Sequence, residues 1–237
     1  MPTPIQLVRS AIAVAILAAC ATNPLPAANL DEVLARFDEV QNSIQTLSAA
    51  FTETTLSTLL EDEIIAEGRV YLTKPYFVRW EYSLPEELRF VISNNTYTGY
   101  FPMRKKAERR DIQRWREQLF RFLGLGQAST ELAKFYDIRL EEAGPDMPGT
   151  HLLILDPKKR RVRKRMDVVR FWVSEATSLP VRVEYYSKSG NVRLIEFREM
   201  SVNPELAANL YTVEIPPDVP VTKGFSALSG LTSPSDD

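Results

Sequence analysis

Hydrophobic and polar positions along this chain change period several times, and the changes mark out its elements. From Asn29 the period is helical. Leu30, Val33, Leu34, Phe37, Val40 and Ile44 form one stripe, with Asp31, Glu32, Arg36, Asp38 and Glu39 turned away. Asn29 stands at the N-cap and Glu32 at the capping-box position. One apolar stripe implies one covered face, with a sheet as the expected cover. Residues 67–82 then read as two strands around a turn. Val70 and Leu72 alternate with Arg69, Tyr71 and Thr73, while Val78, Trp80 and Tyr82 share a face opposite Arg79 and Glu81. Pro75 cannot donate to a ladder and holds Lys74 extended, so the pair belongs at a strand end.

Two short strands follow, at 88–92 and 97–101, around the turn cluster 93–96. Asp111 reads as the cap of a second helix running to about Leu123. Ile112, Trp115, Leu119, Phe122 and Leu123 lie on its broad apolar face, Phe120 widens that face, and Gly124 and Gly126 stop it. A shorter helix is expected over 129–135. Strands resume at 137–142, 151–155, 168–174, 181–187 and 191–199, the last two joined by the hairpin turn 188–191. A final extended piece, 211–215, runs into Pro216-Pro217, and the Ser- and Asp-rich tail from about Phe225 reads as disordered. No repeat of solenoid or propeller spacing is present. The expected class is mainly β with α (α+β): a strongly curved antiparallel sheet, an open half-barrel, with helices covering its concave face.

The order of these pieces resembles the LolA family of lipoprotein carriers. The likeness rests on a leading helix, on Phe51-Thr52-Glu53 as a first strand, and on a strand opening at Gly68. It continues through a basic residue before Pro75, an aromatic run ending in Trp80 and Tyr82, and the closing Val213-Glu214-Ile215-Pro216-Pro217. It covers roughly residues 30–222. The resemblance implies a periplasmic carrier that shields the acyl chains of lipoproteins in a hydrophobic cavity during transfer from the inner to the outer membrane. Its implied partners are acylated lipoproteins, an inner-membrane ABC lipoprotein exporter (LolCDE-like) and an outer-membrane acceptor. The implied cavity is walled by Val78, Trp80 and Tyr82 and roofed by Leu119, Phe120, Phe122 and Leu123; the same residues would equally suit a filled core. In the family an Arg before the Pro latches the lid helix through its backbone. Here that residue is Lys74, a rotatable point charge in place of a planar fork, which puts the latch in doubt.

The first 20 residues alter the picture. Arg9 precedes the apolar run 11–19, which is about the length of a signal-peptide core and too short to span a bilayer. It ends in Leu17-Ala18-Ala19-Cys20, similar to a bacterial lipobox, so Cys20 is a candidate lipidation site; processing at an Ala up to Ala28 is the alternative. The chain thus divides into a signal over 1–20, a tether over 21–28, the LolA-like domain over 29–224 and a tail over 225–237. Lipidation would make the protein a membrane-anchored acceptor resembling LolB, or a lipid-anchored envelope interaction module without cargo. A soluble periplasmic carrier requires the other cleavage.

Composition and charge mainly exclude. The 237 residues are 44% hydrophobic and 25% charged, ordinary for a globular domain, and the net charge of −2 gives no global affinity for nucleic acid. The single Cys and the single His, His151 at a strand start, leave no Cys/His pair and no thiolate metal site. No phosphate loop or nucleophile elbow occurs. Neither enzyme activity nor a cofactor or metal is expected. Locally the charge is uneven. Residues 158–165 carry seven positive charges in eight positions, in an expected loop or strand extension. Arg160, Arg161, Arg163 and Arg165 are therefore candidates for docking on anionic lipid headgroups or an acidic partner, against the plain alternative of a solvated hairpin.

Overall fold

The structure, a computed structural model, describes residues 29–59, 62–114, 116, 120 and 126–226. Trp115, Leu119, Phe122, Leu123 and Cys20 lie outside the described residues. Helix α1 spans Leu30–Ser43, and the Asn29 side chain accepts the Asp31 N–H at 3.1 Å, as the cap predicts. The strands are β1 (Thr46–Leu56), β2 (Ile64–Thr73), β3 (Phe77–Leu84), β4 (Leu88–Ser93), β5 (Thr96–Phe101), β6 (Lys106–Asp111), β7 (Tyr136–Glu141), β8 (Thr150–Pro157), β9 (Met166–Ser174), β10 (Pro180–Ser187), β11 (Val192–Val202) and β12 (Val221–Thr222). They form one open sheet in the order β12-β6-β5-β4-β3-β2-β1-β11-β10-β9-β8-β7. Among the described strands only the β12–β6 pair is parallel.

Curvature follows from where side chains meet. Strands β3 and β11 are separated by β2 and β1, about 14 Å apart in a flat sheet at ~4.8 Å per strand. Yet the rings of Trp80 on β3 and Phe197 on β11 lie 6.4 Å apart, so the face they share is concave. Between them sits Gly68 on β2, at a register shift against β3. A Cβ there would fall 1.9 Å from the Glu81 carbonyl oxygen and 2.7 Å from Phe51 Cζ. The missing side chain lets the Phe51 ring cross β2 and meet Trp80 (4.8 Å) and Tyr82 (5.1 Å). Val33, Phe37 and Ile44 of the α1 segment join the same cluster, together with Leu72, Val78, Phe171 and Ile195 from the strands. A smaller cluster of Leu152, Ile154 and Trp172 covers the other face of β8 and β9.

Several expectations are corrected. Residues 106–111, whose charges disguised them, form β6, with Ala107 and Glu108 buried. Asp111 ends that strand, and its carboxylate accepts the Gln113 N–H at 2.8 Å. The expected second helix keeps helical residues at Arg116 and Phe120. The third is shorter, α2 (Ser129–Leu132). The basic run is neither loop nor strand extension but carries a one-turn helix, α3 (Arg160–Arg163).

Residues 211–215 form no strand. They run as a strap over the outer face of β2 and β3. Arg79 donates to the carbonyls of Leu210 (2.8 Å) and Thr212 (3.2 Å), and the Tyr211 hydroxyl meets Thr73 Oγ1 at 2.7 Å. The strap then adds β12 beside β6. Phe225, expected in the disordered tail, turns against Tyr97 with ring centroids 4.6 Å apart and is buried. Beside it, Glu108 accepts from the Ser226 N–H and Oγ and from Lys106, each at 2.7 Å. Burial alone would raise the Glu108 carboxyl. The hydrogen bonds from Lys106 and Ser226 outweigh it and hold the group below its ordinary 4.5.

Two outcomes follow. Gly68→Ala places a Cβ against backbone that cannot swing away, and should cost roughly 1–3 kcal/mol of stability, the usual range for overpacking; denaturant titration measures it. A fall below 0.5 kcal/mol would mean that β2 bends without help. For Glu108, a depressed folded value means its contribution is complete above about pH 4.5 and lost as the pH falls through the lower folded value. Glu108→Gln should therefore be destabilised by roughly 1–3 kcal/mol at pH 6, with the gap to wild type closing on acidification. A gap independent of pH would contradict this ion-paired anchor.

Candidate functional site

The concave face is the feature around which a site is built. Alternation in β1, β2, β3 and β11 delivers Leu47, Phe51, Val70, Leu72, Val78, Trp80, Ile195 and Phe197 to one side, all buried. Of the predicted wall, Val78 and Trp80 are 1% and 2% exposed and join the buried cluster that also holds Val33 and Phe37 of α1. Phe120 is buried too, its ring edge-on to Tyr76 at 5.6 Å, and the Arg116 guanidinium lies 3.6 Å over the other aromatic partner, Tyr76. Leu119, Phe122 and Leu123, expected in the roof, lie outside the described residues.

Among the described residues, polar ties hold α1 to the sheet and to α2. Lys74 Nζ donates to the Gln41 carbonyl in the last turn of α1, and the Lys74 N–H donates to Gln45 O at 2.8 Å. A cation there also faces the negative end of the helix dipole. Burial lowers the Lys74 pKa from its ordinary value. The Gln41 side chain, fully buried, accepts the Gly126 N–H at 2.9 Å. The Ser129 hydroxyl at the start of α2 donates to Asp38 at 2.8 Å. Lys74 thus reaches helix backbone with a single ammonium, though the helix it holds is α1.

One group went unrecognised in the sequence. Tyr82, assigned to an apolar wall, is half-buried, and its hydroxyl donates to Glu53 Oε2 at 2.8 Å. Arg193 Nη2 donates to the same oxygen at 2.6 Å and to the Tyr82 hydroxyl at 3.2 Å. Burial chiefly, and then Glu53, push the Tyr82 phenol far up. Burial opposes the charge on Arg193, but Tyr82 and Glu53 hold it firmly protonated. The signal was available: Glu53 continues the inward series Leu47, Ala49, Phe51, and Arg193 precedes Ile195 and Phe197 in phase.

Elsewhere, the chemistry is sparse. His151 is half-buried at the second position of β8. Among the described residues no group of three His, Cys, Asp or Glu is placed to hold a metal ion. Around α3, Arg160, Arg161, Arg163, Lys164 and Arg165 are all exposed. Lys158 pairs with Asp137 at 3.4 Å and Lys159 lies 5.0 Å over Phe135. Arg160, Arg163 and Lys164 have no acidic partner among the described residues.

Comparison with known proteins bears on this geometry. Residues 42–214 match the family model described as outer membrane lipoprotein carrier protein LolA. No curated protein matches the chain. Among solved structures, an uncharacterised conserved protein from Thermus thermophilus shares 17% identity at a TM-score of 0.52, covering 82% of this chain and 98% of its own. A LolA superfamily protein from Nitrosomonas europaea shares 15% at 0.41, covering 79% and 99%. The lipoprotein LppX from Mycobacterium tuberculosis shares 10% at 0.43, covering 75% and 99%. The Thermus likeness shows a common fold.

Proposed function

The chain belongs to the LolA family, and from that premise we propose that it is a periplasmic lipoprotein carrier, taking the acyl chains of lipoproteins between its concave sheet and the roof above it. The observation that carries this reading is the concave apolar face beneath α1, which Lys74 ties to the sheet through the Gln41 carbonyl. Separating α1 and the Phe120 segment from the sheet would expose Phe51, Trp80 and Phe197 as a ready apolar trough. Each buried CH₂ of an acyl chain is worth about 0.8 kcal/mol, enough over a chain to offset parting the roof. Lys74 then acts as the latch, its tie to the Gln41 carbonyl breaking as the roof lifts and re-forming after release. The cargo comes from an inner-membrane ABC exporter and passes to an acceptor at the outer membrane.

The lipobox-like Leu17-Ala18-Ala19-Cys20 favours a second reading, an anchored LolB-like acceptor. Intact mass separates the two: a diacylated N-terminus at Cys20 assigns the acceptor role, and cleavage towards Ala28 the diffusing carrier. The exposed α3 cations serve either role as a dock on anionic headgroups.

A peptide acylated with chains of increasing length should bind with affinity rising about fourfold per CH₂, the equivalent of ~0.8 kcal/mol, and its unacylated twin should not bind. Lys74→Leu should raise the fraction of protein that retains the peptide after dilution, because the roof no longer resets. Affinity independent of chain length would remove the carrier function. For α3, changing Arg160, Arg161, Arg163 and Arg165 to Gln should abolish binding to phosphatidylglycerol vesicles at low salt and leave acyl-peptide affinity intact. Wild-type protein should itself leave the vesicles at 1 M salt, where the Debye length is about 3 Å. Vesicle binding unchanged in the variant would return the turn to a solvated surface.

A further inference from the structure

The ion pair between Glu53 and Arg193 is out of place on its surface. It lies on the concave face towards the end of β1, at the next in-phase position beyond Phe51. Both side chains are largely removed from solvent, 12% and 15% exposed. A fold does not need such a pair: replacing buried ions by apolar groups of similar size is often neutral or stabilising. Three strands nevertheless converge on it, Glu53 from β1, Tyr82 from β3 and Arg193 from β11. Tyr82 stands opposite Gly68 on β2 and reaches across that strand to Glu53 on β1. The arrangement is also incomplete. Glu53 Oε2 receives two donors and Arg193 Nη2 serves two acceptors, while Arg193 Nε is buried with no acceptor among the described residues. Apolar ligand sites use a few such polar groups to fix orientation.

We propose that the Glu53–Tyr82–Arg193 cluster is the subsite for the polar junction of an acylated ligand, with Arg193 Nε donating to the ester or amide carbonyl that joins the acyl chain to its backbone. Glu53 and Tyr82 hold the guanidinium in place and keep it charged. The chain then runs inward along Phe51, Trp80 and Phe197. A carbonyl at this depth sets how far a chain can enter, so the subsite distinguishes an esterified or amidated chain from hydrocarbon alone. This inference rests on the carrier reading and adds a chemical preference to it.

The test compares two probes of equal chain length on the full chain: a dipalmitoyl-thioglyceryl peptide and its dialkyl ether analogue, which lacks the carbonyls. Wild type should bind both and prefer the ester by about tenfold, the scale of one hydrogen bond to a charged donor. Arg193→Lys retains a charge opposite Glu53 but removes the Nε–H and the planar fork, and should bind both probes as wild type binds the ether. The neutral double change Glu53→Gln with Arg193→Met should do the same with an unchanged or raised melting temperature. Wild type binding both probes equally would overturn the subsite while leaving the carrier function standing, and binding of neither would remove both. Retention of the tenfold preference in folded Arg193→Lys, or an equal loss of both probes in it, would make the cluster purely structural.

Discussion

The contact between Phe51 and the empty side of Gly68 is the constraint on which the rest of the structure depends. A side chain at position 68 would collide with the Glu81 carbonyl and hold Phe51 away from Trp80. With the space open, the four neighbouring strands from β3 to β11 bend enough for residues on β3 and β11 to meet across the concavity. Everything functional follows from that bend. It makes one face concave and apolar, gives α1 a trough to lie in, and brings Glu53, Tyr82 and Arg193 together although no two of them are close in sequence.

The sheet remains open, and each edge is handled differently. At one edge the strap over Thr73, Phe77 and Arg79 leads into β12 and pins Phe225 and Ser226 beside Tyr97 and Glu108. At the other, β7 is laced by Arg139 with Glu141 and Asp156, and such charges discourage pairing with another chain. Neither device closes the sheet into a barrel. Over the concave face lies α1, tied to the sheet through Lys74 and to α2 through Asp38 and Ser129, by contacts worth about a hydrogen bond each.

Much of the fold was legible in the sequence, because most strands are one-sided and their period shows. The stripe of α1, the hairpin of β2 and β3, and the pair β10 and β11 all sit close to where alternation puts them. Misreadings arose where long-range partners override local pattern. Residues 106–111 are too charged to read as a strand, yet Glu108 is buried because Ser226 and Lys106 satisfy it. Residues 211–215 have strand-like residues, but the Thr212 carbonyl goes to Arg79 and the Tyr211 hydroxyl to Thr73. Phe225 has no local signal at all; only Tyr97 explains its place. Of the site, Val78, Trp80, Phe120 and Lys74 were legible as residues facing the interior or its roof. The Glu53–Arg193 pair was passed over because charge was read as exposure. A carboxylate in phase with Leu47, Ala49 and Phe51 is the sign that should have prompted a search for its partner.

The most direct measurement of the account is photocrosslinking with a lipopeptide whose acyl chain carries a photoreactive group at its terminal carbon, followed by mapping of the adducts. The chain end should attach to Phe51, Trp80, Phe197 or their neighbours on the concave face, and excess unlabelled lipopeptide should compete it away. Adducts confined to exposed residues such as Leu59, Met103 or Val202, or labelling that no competitor displaces, would contradict an interior that accepts acyl chains.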